Sequence, residues 1–353
     1  MDLYSTYFML AAVKRLPLMQ TFFRDRYFPS NTLLDIFGSA KVWVDVMEGN
    51  KKLAPFVVPR IGGINILRDG FETYELEPAN IALSRSLTYD NLKNRGFGEA
   101  LNSQMTPADR ESSLLIDDMR ELSDRITRRE EWMAVNTILG NGCIMKHITD
   151  KEAVFEDVEV MYYKNGDNQA LYTPAQPWTE KNDSWRKDVK AMGKRLSEKG
   201  LPATDLIVAP DVGEYMLRDE HLLKLLDITR VEMGRINPKE LPNGATYLGA
   251  INFEGKLLDI LVYEGTYEDE SGKDTPYLPD GTVIVTAPNC GHTLYGGVTQ
   301  IEDDGAFHTI AGTRVPQYVV TKKPAVKEVT LTSKPLMAPK AKDPWIVAKN
   351  VFH

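Results

Sequence analysis

The chain of 353 residues lacks most features of secreted and membrane-spanning proteins. Its two cysteines, Cys143 and Cys290, are isolated, so no disulfide framework is expected and a reducing compartment fits. Free thiols are favoured over a single bridge. No apolar run approaches the roughly 18 residues of a bilayer-spanning helix, so no membrane partner is predicted. The short apolar run at residues 7–13 does not resemble a signal peptide, because Asp2 precedes it and the first basic residues follow it.

Sequence motifs of catalytic, metal and nucleotide sites are also lacking. The five histidines are scattered, and no two have the spacing of metal ligands. Gly265–Asp274 contains glycines and a lysine but does not match a phosphate-binding loop, so it is predicted to be a hairpin turn. No catalytic residue, cofactor or metal ion is therefore predicted. A hydrolase or transferase acting near Asp303 and His308 stays open as the less favoured alternative.

An excess of basic residues is lacking as well. The sequence has 42 Lys and Arg against 50 Asp and Glu, which gives a formal net charge of −8. A surface that neutralises nucleic acid needs the opposite balance. The apolar fraction of 42% is sufficient for a core, and the length allows two or three domains.

The longest element that the sequence predicts is a helix over residues 107–139. Thr106 suits the N-cap, Pro107 suits the first turn, and Asp109 adds a carboxylate there. No further Gly or Pro interrupts the segment, which gives roughly 33 residues and roughly 50 Å. The narrow apolar stripe consists of Leu115, Met119, Leu122, Ile126 and Met133, with Trp132 beside it. This pattern predicts an exposed helix lying across a sheet. A coiled coil is the weaker alternative, because Arg129 falls in the seam.

Four aromatic rings crowd the short segment Phe22–Pro29 near the start of the chain. The segment has weak periodicity, so the rings must be buried against another surface, either their own domain or a neighbouring chain. The residues predicted as candidate inter-subunit contacts are Phe22, Phe23, Tyr27 and Phe28, with Phe71 and Tyr74 further along the chain.

Alternating residues at Lys41–Met47 and Ile81–Tyr89 predict strands, as does the apolar run Pro55–Arg60. Between them Asp69–Glu77 is largely charged. Strands with polar faces pack poorly in a core, so residues 48–90 are interpreted as an extended β-excursion that leaves the subunit body. An edge sheet that covers the chain's own domain is the alternative.

An α/β pattern follows the long helix. A hairpin is predicted first, with strands at Val154–Tyr163 and Gln169–Tyr172 around the turn Asn165–Asn168. The α/β block then has predicted helices at Asp183–Lys199 and Asp211–Leu226 and predicted strands at Leu206–Ala209, Lys256–Tyr263 and Thr282–Ala287. The last part is mixed, with strands around residues 318–321 and 328–331.

The order of these segments resembles the major capsid proteins of lambda-like tailed bacteriophages, the capsid protein E family. No single motif is diagnostic; order and spacing over nearly the whole chain carry the resemblance. The segments are Phe22–Pro29, Arg129–Gly142, Leu206–Pro210, Tyr277–Val285 and Ser333–Met337.

The resemblance implies an α+β fold of the Hong Kong 97 type. It implies an N-terminal arm at residues 1–50, an extended β-loop at 51–92, and a peripheral domain at 93–177 that contains the spine helix at 107–139. An axial domain would occupy residues 178–308, and residues 309–353 would return to the peripheral domain. No covalent cross-link is inferred, because members of the family usually rely on decoration proteins.

The resemblance also implies a structural coat protein rather than an enzyme. Copies of the chain would associate in pentamers and hexamers into an icosahedral head that encloses double-stranded DNA without sequence-specific binding. A decoration protein, a scaffold and a portal are the expected partners. The protein would be located in the virion after assembly in the host bacterial cytoplasm. An encapsulin-like compartment, which shares the fold, stays open as an alternative.

Overall fold

The computed structural model shows a mixed α and β chain. It describes residues 6–13, 19–31, 33–47, 71–88, 106–146, 157–164, 166–179, 184–218, 234–241, 244–253, 256–269, 271–302, 304–322 and 325–352. The helices within these ranges are α1 (Thr6–Val13), α2 (Phe23–Tyr27), α3 (Pro107–Gly140), α4 (Ser184–Glu198) and α5 (Pro210–Arg218).

The largest sheet in the described part of the chain contains seven strands. In spatial order they are β6 (Leu171–Tyr172), β20 (Ile346–Ala348), β13 (Val283–Thr286), β7 (Asp205–Val208), β10 (Lys256–Tyr263), β9 (Ala245–Phe253) and β8 (Gly234–Glu240). The pairs β6–β20 and β7–β10 are parallel, and the other pairs are antiparallel. Helix α4 packs against β13 and β20, and α5 packs against β10. Because β7 and β13 are central, all their residues are buried.

The remaining strands form smaller sheets. A three-stranded sheet, in the order β17 (Val315–Lys322), β18 (Ala325–Ser333) and β3 (Ile81–Thr88), packs against α3. Two-stranded ribbons among the described residues pair β1 (Val42–Met47) with β2 (Phe71–Leu76), β4 (Gly142–Met145) with β5 (Val158–Met161), β11 (Thr266–Glu268) with β12 (Asp274–Pro276), β14 (Gly291–Tyr295) with β19 (Pro335–Pro339), and β15 (Val298–Ile301) with β16 (Phe307–Ile310).

Helix α3 joins two hydrophobic clusters. Its first half contributes Met119, Leu122 and Ile126 to a small cluster with residues of α1 and β18. Its last turns, from Met133 to Leu139, lie in the large core with the seven-stranded sheet. The expectation of an exposed helix is therefore wrong for this C-terminal part, which is a core helix.

The two ends of α3 follow local rules. The Thr106 hydroxyl accepts the Asp109 N–H and the Asp109 carboxylate accepts the Thr106 N–H, so the predicted helix start is confirmed as a capping box. At the other end Asn141 adopts a left-handed conformation with φ of 51°. Its side-chain amide donates to the Asp343 carboxylate at 2.7 Å, which compensates for the absence of glycine at this position.

Most local predictions in the α/β block agree with the structure, but the hairpin at Asn165–Asn168 is wrong. Strand β5 pairs with β4, and β6 pairs with β20, so the described parts of the two predicted partners pair with other strands. The charged segment within Asp69–Glu77 is strand β2, which sequence patterns missed. The predicted strand Pro55–Arg60 lies outside the described residues, as does the end of the helix predicted at Asp211–Leu226.

Some paired strands lie on opposite sides of a predicted domain boundary. Strand β3 falls within the proposed excursion yet pairs with β18, as expected for the alternative of a sheet that belongs to the chain's own body. Strands β6 and β20 belong to the same sheet as β7 and β13, although they lie outside residues 178–308. The boundaries at 178 and 308 therefore do not follow the seven-stranded sheet.

Candidate functional site

The four aromatic residues of the arm are buried within their own chain. Phe23, Tyr27 and Phe28 have no exposed surface, and Phe22 is 1% exposed. Side chains that are already covered by their own subunit have no area left for a neighbour. The expectation that these four rings contact another chain is therefore corrected: the alternative, packing on their own domain, describes them.

Three of these rings form one cluster with Tyr263 from β10. Phe22 stacks on Tyr263 with a centroid distance of 5.2 Å, and Phe23 meets Tyr263 edge to face, also at 5.2 Å. Phe28 lies apart from them and contacts Trp345 at 5.7 Å. The arm thus closes one side of the large core.

Glu131 fixes the start of this segment to α3. Its carboxylate accepts the backbone N–H groups of Phe22, Phe23 and Arg24 at 3.2, 2.8 and 2.8 Å, and the Tyr263 hydroxyl at 2.9 Å. A short helix leaves its first N–H groups unpaired, and a carboxylate satisfies them well. Burial raises the pKa of Glu131 above its usual value, although these hydrogen bonds oppose the shift.

Glu130 lies next to it and binds two cations. Arg314 makes a two-pronged contact with the Glu130 carboxylate at 2.7 and 2.8 Å, and Arg24 approaches from α2 at 3.1 Å. The Tyr295 hydroxyl donates to the same carboxylate at 3.1 Å. Burial alone would raise the pKa of Glu130, but the positive charges of Arg314 and Arg24 hold it below its usual value.

A third buried carboxylate holds the other end of α2. Asp205, at the start of β7, accepts the Arg26 guanidinium at 2.7 Å and the Tyr27 hydroxyl at 2.8 Å. Burial and the negative charge of Asp205 raise the pKa of Tyr27 well above its usual value. Together, Glu130, Glu131 and Asp205 anchor both ends of the arm helix.

Glu130 and Glu131 were not predicted as anchors because, in the sequence, they look like part of a charged helix face. The helical spacing of Glu130 does indicate that its side chain is buried. Glu130 lies four residues after Ile126 and four before Ala134, which are both fully buried, so it falls on the apolar stripe. A carboxylate in that position requires buried cations or N–H groups.

The other two predicted contact residues lie in the β1–β2 ribbon. Tyr74 is half-buried and packs against Tyr162 at 6.3 Å, with the Lys164 amine 5.8 Å from its ring. The backbone of Phe71 pairs with Met47, and its side chain lies outside the described residues. The ribbon is therefore separate from the aromatic cluster of the arm.

Large apolar side chains are exposed at other positions. One face of β1 is buried, whereas Trp43 on the opposite face is 60% exposed. Leu33 is 89% exposed, in a turn fixed by hydrogen bonds between Asn31 and Asp35. Phe307 on β16 is 75% exposed and lines a groove of about 480 Å³. Exposed large apolar side chains of this kind are typical of protein contact surfaces.

A second groove, of about 560 Å³, separates α3 from the β11–β12 hairpin. Arginines line one wall and carboxylates the other. The charged residues of this groove are Arg125, Arg128, Arg129, Glu268 and Asp274. The groove has mixed charge and resembles no catalytic arrangement of residues.

The histidine of the alternative enzyme site is on the surface. His308 lies on β16 with its ring nitrogen 2.8 Å from the Asp304 carboxylate, and both side chains are about half exposed. Asp303 lies outside the described residues. In the described part of the chain, no three His, Cys, Asp or Glu side chains are arranged to hold a metal ion. Among these same residues, no helix has the length and apolarity to cross a membrane.

Comparison with known proteins identifies the family. The family model of phage major capsid protein E matches residues 5–350. The major capsid protein of Escherichia phage lambda is 26% identical over 349 residues, which cover 96% of each chain. That of Enterobacteria phage P21 is 24% identical over 331 residues, which cover 89% of this chain and 90% of the relative.

Solved structures show the same fold. A prophage capsid protein of Escherichia coli CFT073 superposes with a TM-score of 0.67 at 18% identity, over 98% of both chains. A phage-related protein of Bordetella bronchiseptica RB50 gives a TM-score of 0.52 at 10% identity, over 98% of this chain and 96% of the other. The α+β fold of the Hong Kong 97 type is thus confirmed. Because the family match spans nearly the whole sequence, the chain belongs to the phage major capsid protein E family, a family of structural proteins of the bacteriophage virion.

Proposed function

We propose that copies of this chain self-assemble, in pentamers and hexamers, into the icosahedral head that encloses the genome of a bacteriophage. The observation that carries the proposal is the family match over residues 5–350. Similarity to the lambda major capsid protein extends over 96% of both chains.

The charge of the chain supports a container rather than a DNA-wrapping protein. A net charge of −8 limits attraction between the shell and DNA phosphates. The head would therefore hold double-stranded DNA by enclosure, without sequence-specific contacts.

The exposed apolar side chains are the proposed contacts between subunits. Trp43, Leu33 and Phe307 are exposed at three separate places in the fold, and each would be covered by a neighbour. Tyr74 and Phe71, in the β1–β2 ribbon, are also kept as proposed contacts between subunits. Many modest contacts per subunit add up, because the later contacts form at high effective concentration. Closed symmetry then limits growth.

The finer assignments belong to the same proposal. The arm, extended loop, peripheral domain, axial domain and C-terminal return are proposed in the order given by the family resemblance, with β3 pairing outside the loop range and β6 and β20 pairing outside the axial range. A decoration protein, a scaffold and a portal are the proposed partners. Assembly would take place in the host bacterial cytoplasm before the protein becomes part of the virion.

Sedimentation and negative-stain microscopy of the expressed full-length chain test this function. We expect large closed particles at high protein concentration, and their yield should fall when Trp43 and Phe307 are replaced by serine. A wild-type protein that stays monomeric or forms only small oligomers, with a scaffold supplied or not, would contradict the proposal. Particles that enclose cellular protein in place of DNA during phage growth would favour the encapsulin-like alternative.

A further inference from the structure

Glu130 joins three segments that are distant in the sequence. It belongs to α3, whereas Arg24 belongs to α2 and Arg314 lies just before β17. The Arg24 and Arg314 side chains are 13% and 4% exposed, and the Glu130 side chain is fully buried. One carboxylate therefore compensates two buried positive charges at a point where both terminal regions of the chain meet the long helix.

We propose that Glu130, Arg24 and Arg314 hold the N-terminal end of α2 against α3 at neutral pH and release it in acid. When Glu130 takes up a proton, the segment Phe22–Arg24 leaves α3, whereas Arg314 stays in place. The aromatic rings of this segment then become accessible to solvent or to another protein.

Repulsion between the two arginines drives the release. Burial and the positive charge of Arg314 act to lower the pKa of Arg24, and Glu130, Tyr295 and Asp25 together more than offset them. A neutral Glu130 would leave two buried guanidinium groups side by side without their shared anion. Breaking a buried ion pair in this way is strongly unfavourable.

The hydrogen bonds of the two arginines decide which one moves. Arg314 also donates to the Thr313 carbonyl at 2.9 Å, and to the Ser333 and Thr127 hydroxyls at 3.3 Å each. Arg24 has Asp25 as its other ion-pair partner, at 3.5 Å, and Asp25 belongs to the same segment and moves with it. Apart from Glu130, the Arg314 guanidinium therefore contacts the body of the subunit, whereas the described contact of the Arg24 guanidinium is within its own segment. The backbone N–H of Arg24 is held separately, by Glu131.

The other acidic groups around the arm do not produce this release. Glu131 has a raised pKa, so its protonation favours the folded state, and it cannot account for a loss of structure in acid. Asp205 holds Arg26 and Tyr27 at the far end of α2. The released segment should therefore turn about that end rather than detach completely.

Pepsin digestion of the full-length subunit tests the release, because pepsin acts in acid and cleaves beside aromatic residues. The digestion would run from about pH 5.5 to about pH 2, with tryptophan fluorescence following global unfolding. An unfolded peptide of residues 19–28 corrects for the pH dependence of the protease. Cleavage at Phe22–Phe23 should begin below the usual glutamate pKa of 4.5, before global unfolding. It should then rise about tenfold per pH unit, as for the uptake of one proton.

Three variants distinguish this mechanism from general acid unfolding. Glu130→Gln should be cleaved at Phe22–Phe23 even at the highest pH, whereas Glu121→Gln on the same helix should behave as the wild type. Arg24→Met removes the cation that acid leaves uncompensated, so its segment should stay protected through the wild-type transition. The proposal is overturned if the wild-type bond resists cleavage until global unfolding, or if Arg24→Met keeps the wild-type transition.

Discussion

The Glu131 carboxylate accepts a hydrogen bond from the backbone N–H of Phe23 at 2.8 Å, across a sequence separation of 108 residues. Phe22, at the N-cap position of α2, provides no capping side chain, so a residue of the long helix caps the short one. The arm segment is thus part of the folded subunit. Substitutions within it should change subunit stability before they change any contact between subunits.

Replacement of Phe23 by alanine should destabilise the isolated subunit. The ring is fully buried against Phe22, Tyr27 and Tyr263, so its removal leaves a cavity in the large core. Such a change costs about 3–5 kcal/mol, measured as the free energy of unfolding in urea. The matched control is Phe307→Ala on the surface, where the change should be within about 0.5 kcal/mol. Equal stability of the two variants would contradict the assignment of Phe23 to the core.

Glu131 should make the free energy of unfolding of the subunit depend on pH. Burial raises its pKa above the ordinary 4.5, so the folded state binds this proton more tightly than the unfolded state. The contribution of Glu131 is therefore fully present below pH 4.5 and is lost as pH rises through the folded pKa. The stability difference between wild type and Glu131→Gln should be largest in acid and shrink towards neutral pH. Urea unfolding at several pH values would measure it, and a difference that grows with pH would contradict this assignment.

Replacement of Trp43 and Phe307 should affect assembly and not the stability of the subunit. Both rings are exposed on strands, so serine substitutions should leave the unfolding free energy within about 0.5 kcal/mol of the wild type. Interface aromatic residues often dominate binding energy, so particle yield should fall sharply in sedimentation. Leu257→Ser changes another exposed apolar side chain, so its particle yield shows whether the loss is specific to Trp43 and Phe307. Normal particles from the Trp43 and Phe307 double variant would remove both residues from the proposed contacts.

Local sequence signals were sufficient for several elements. The capping box at Thr106 and Asp109 fixes the start of α3, and the predicted strand Lys256–Tyr263 coincides with β10. The segment Gly265–Asp274 contains the predicted hairpin turn between β11 and β12. In each case neighbouring residues determine the conformation, so a short window of sequence carries the information.

Other features depend on contacts that are distant in the sequence. The hairpin at Asn165–Asn168 was wrong because β4, formed directly after α3, pairs with β5. The environment of Phe22 could not be predicted because Glu131 and Tyr263, which surround it, belong to separate elements. The resemblance to a family identified the coat fold, but no residue pattern revealed which aromatic rings are covered by their own subunit.

The two thiols should be almost unreactive in the native protein. Burial raises the pKa of Cys143 and of Cys290 to about 12, against the usual 9, so the reactive thiolate is about a thousand times less populated. Cys143 is buried and Cys290 keeps some exposed surface, so Cys290 should be modified first. A maleimide at mild pH followed by peptide mass spectrometry measures the order, and labelling in urea shows that both thiols are chemically competent. Rapid native labelling of Cys143 would contradict its position in the core.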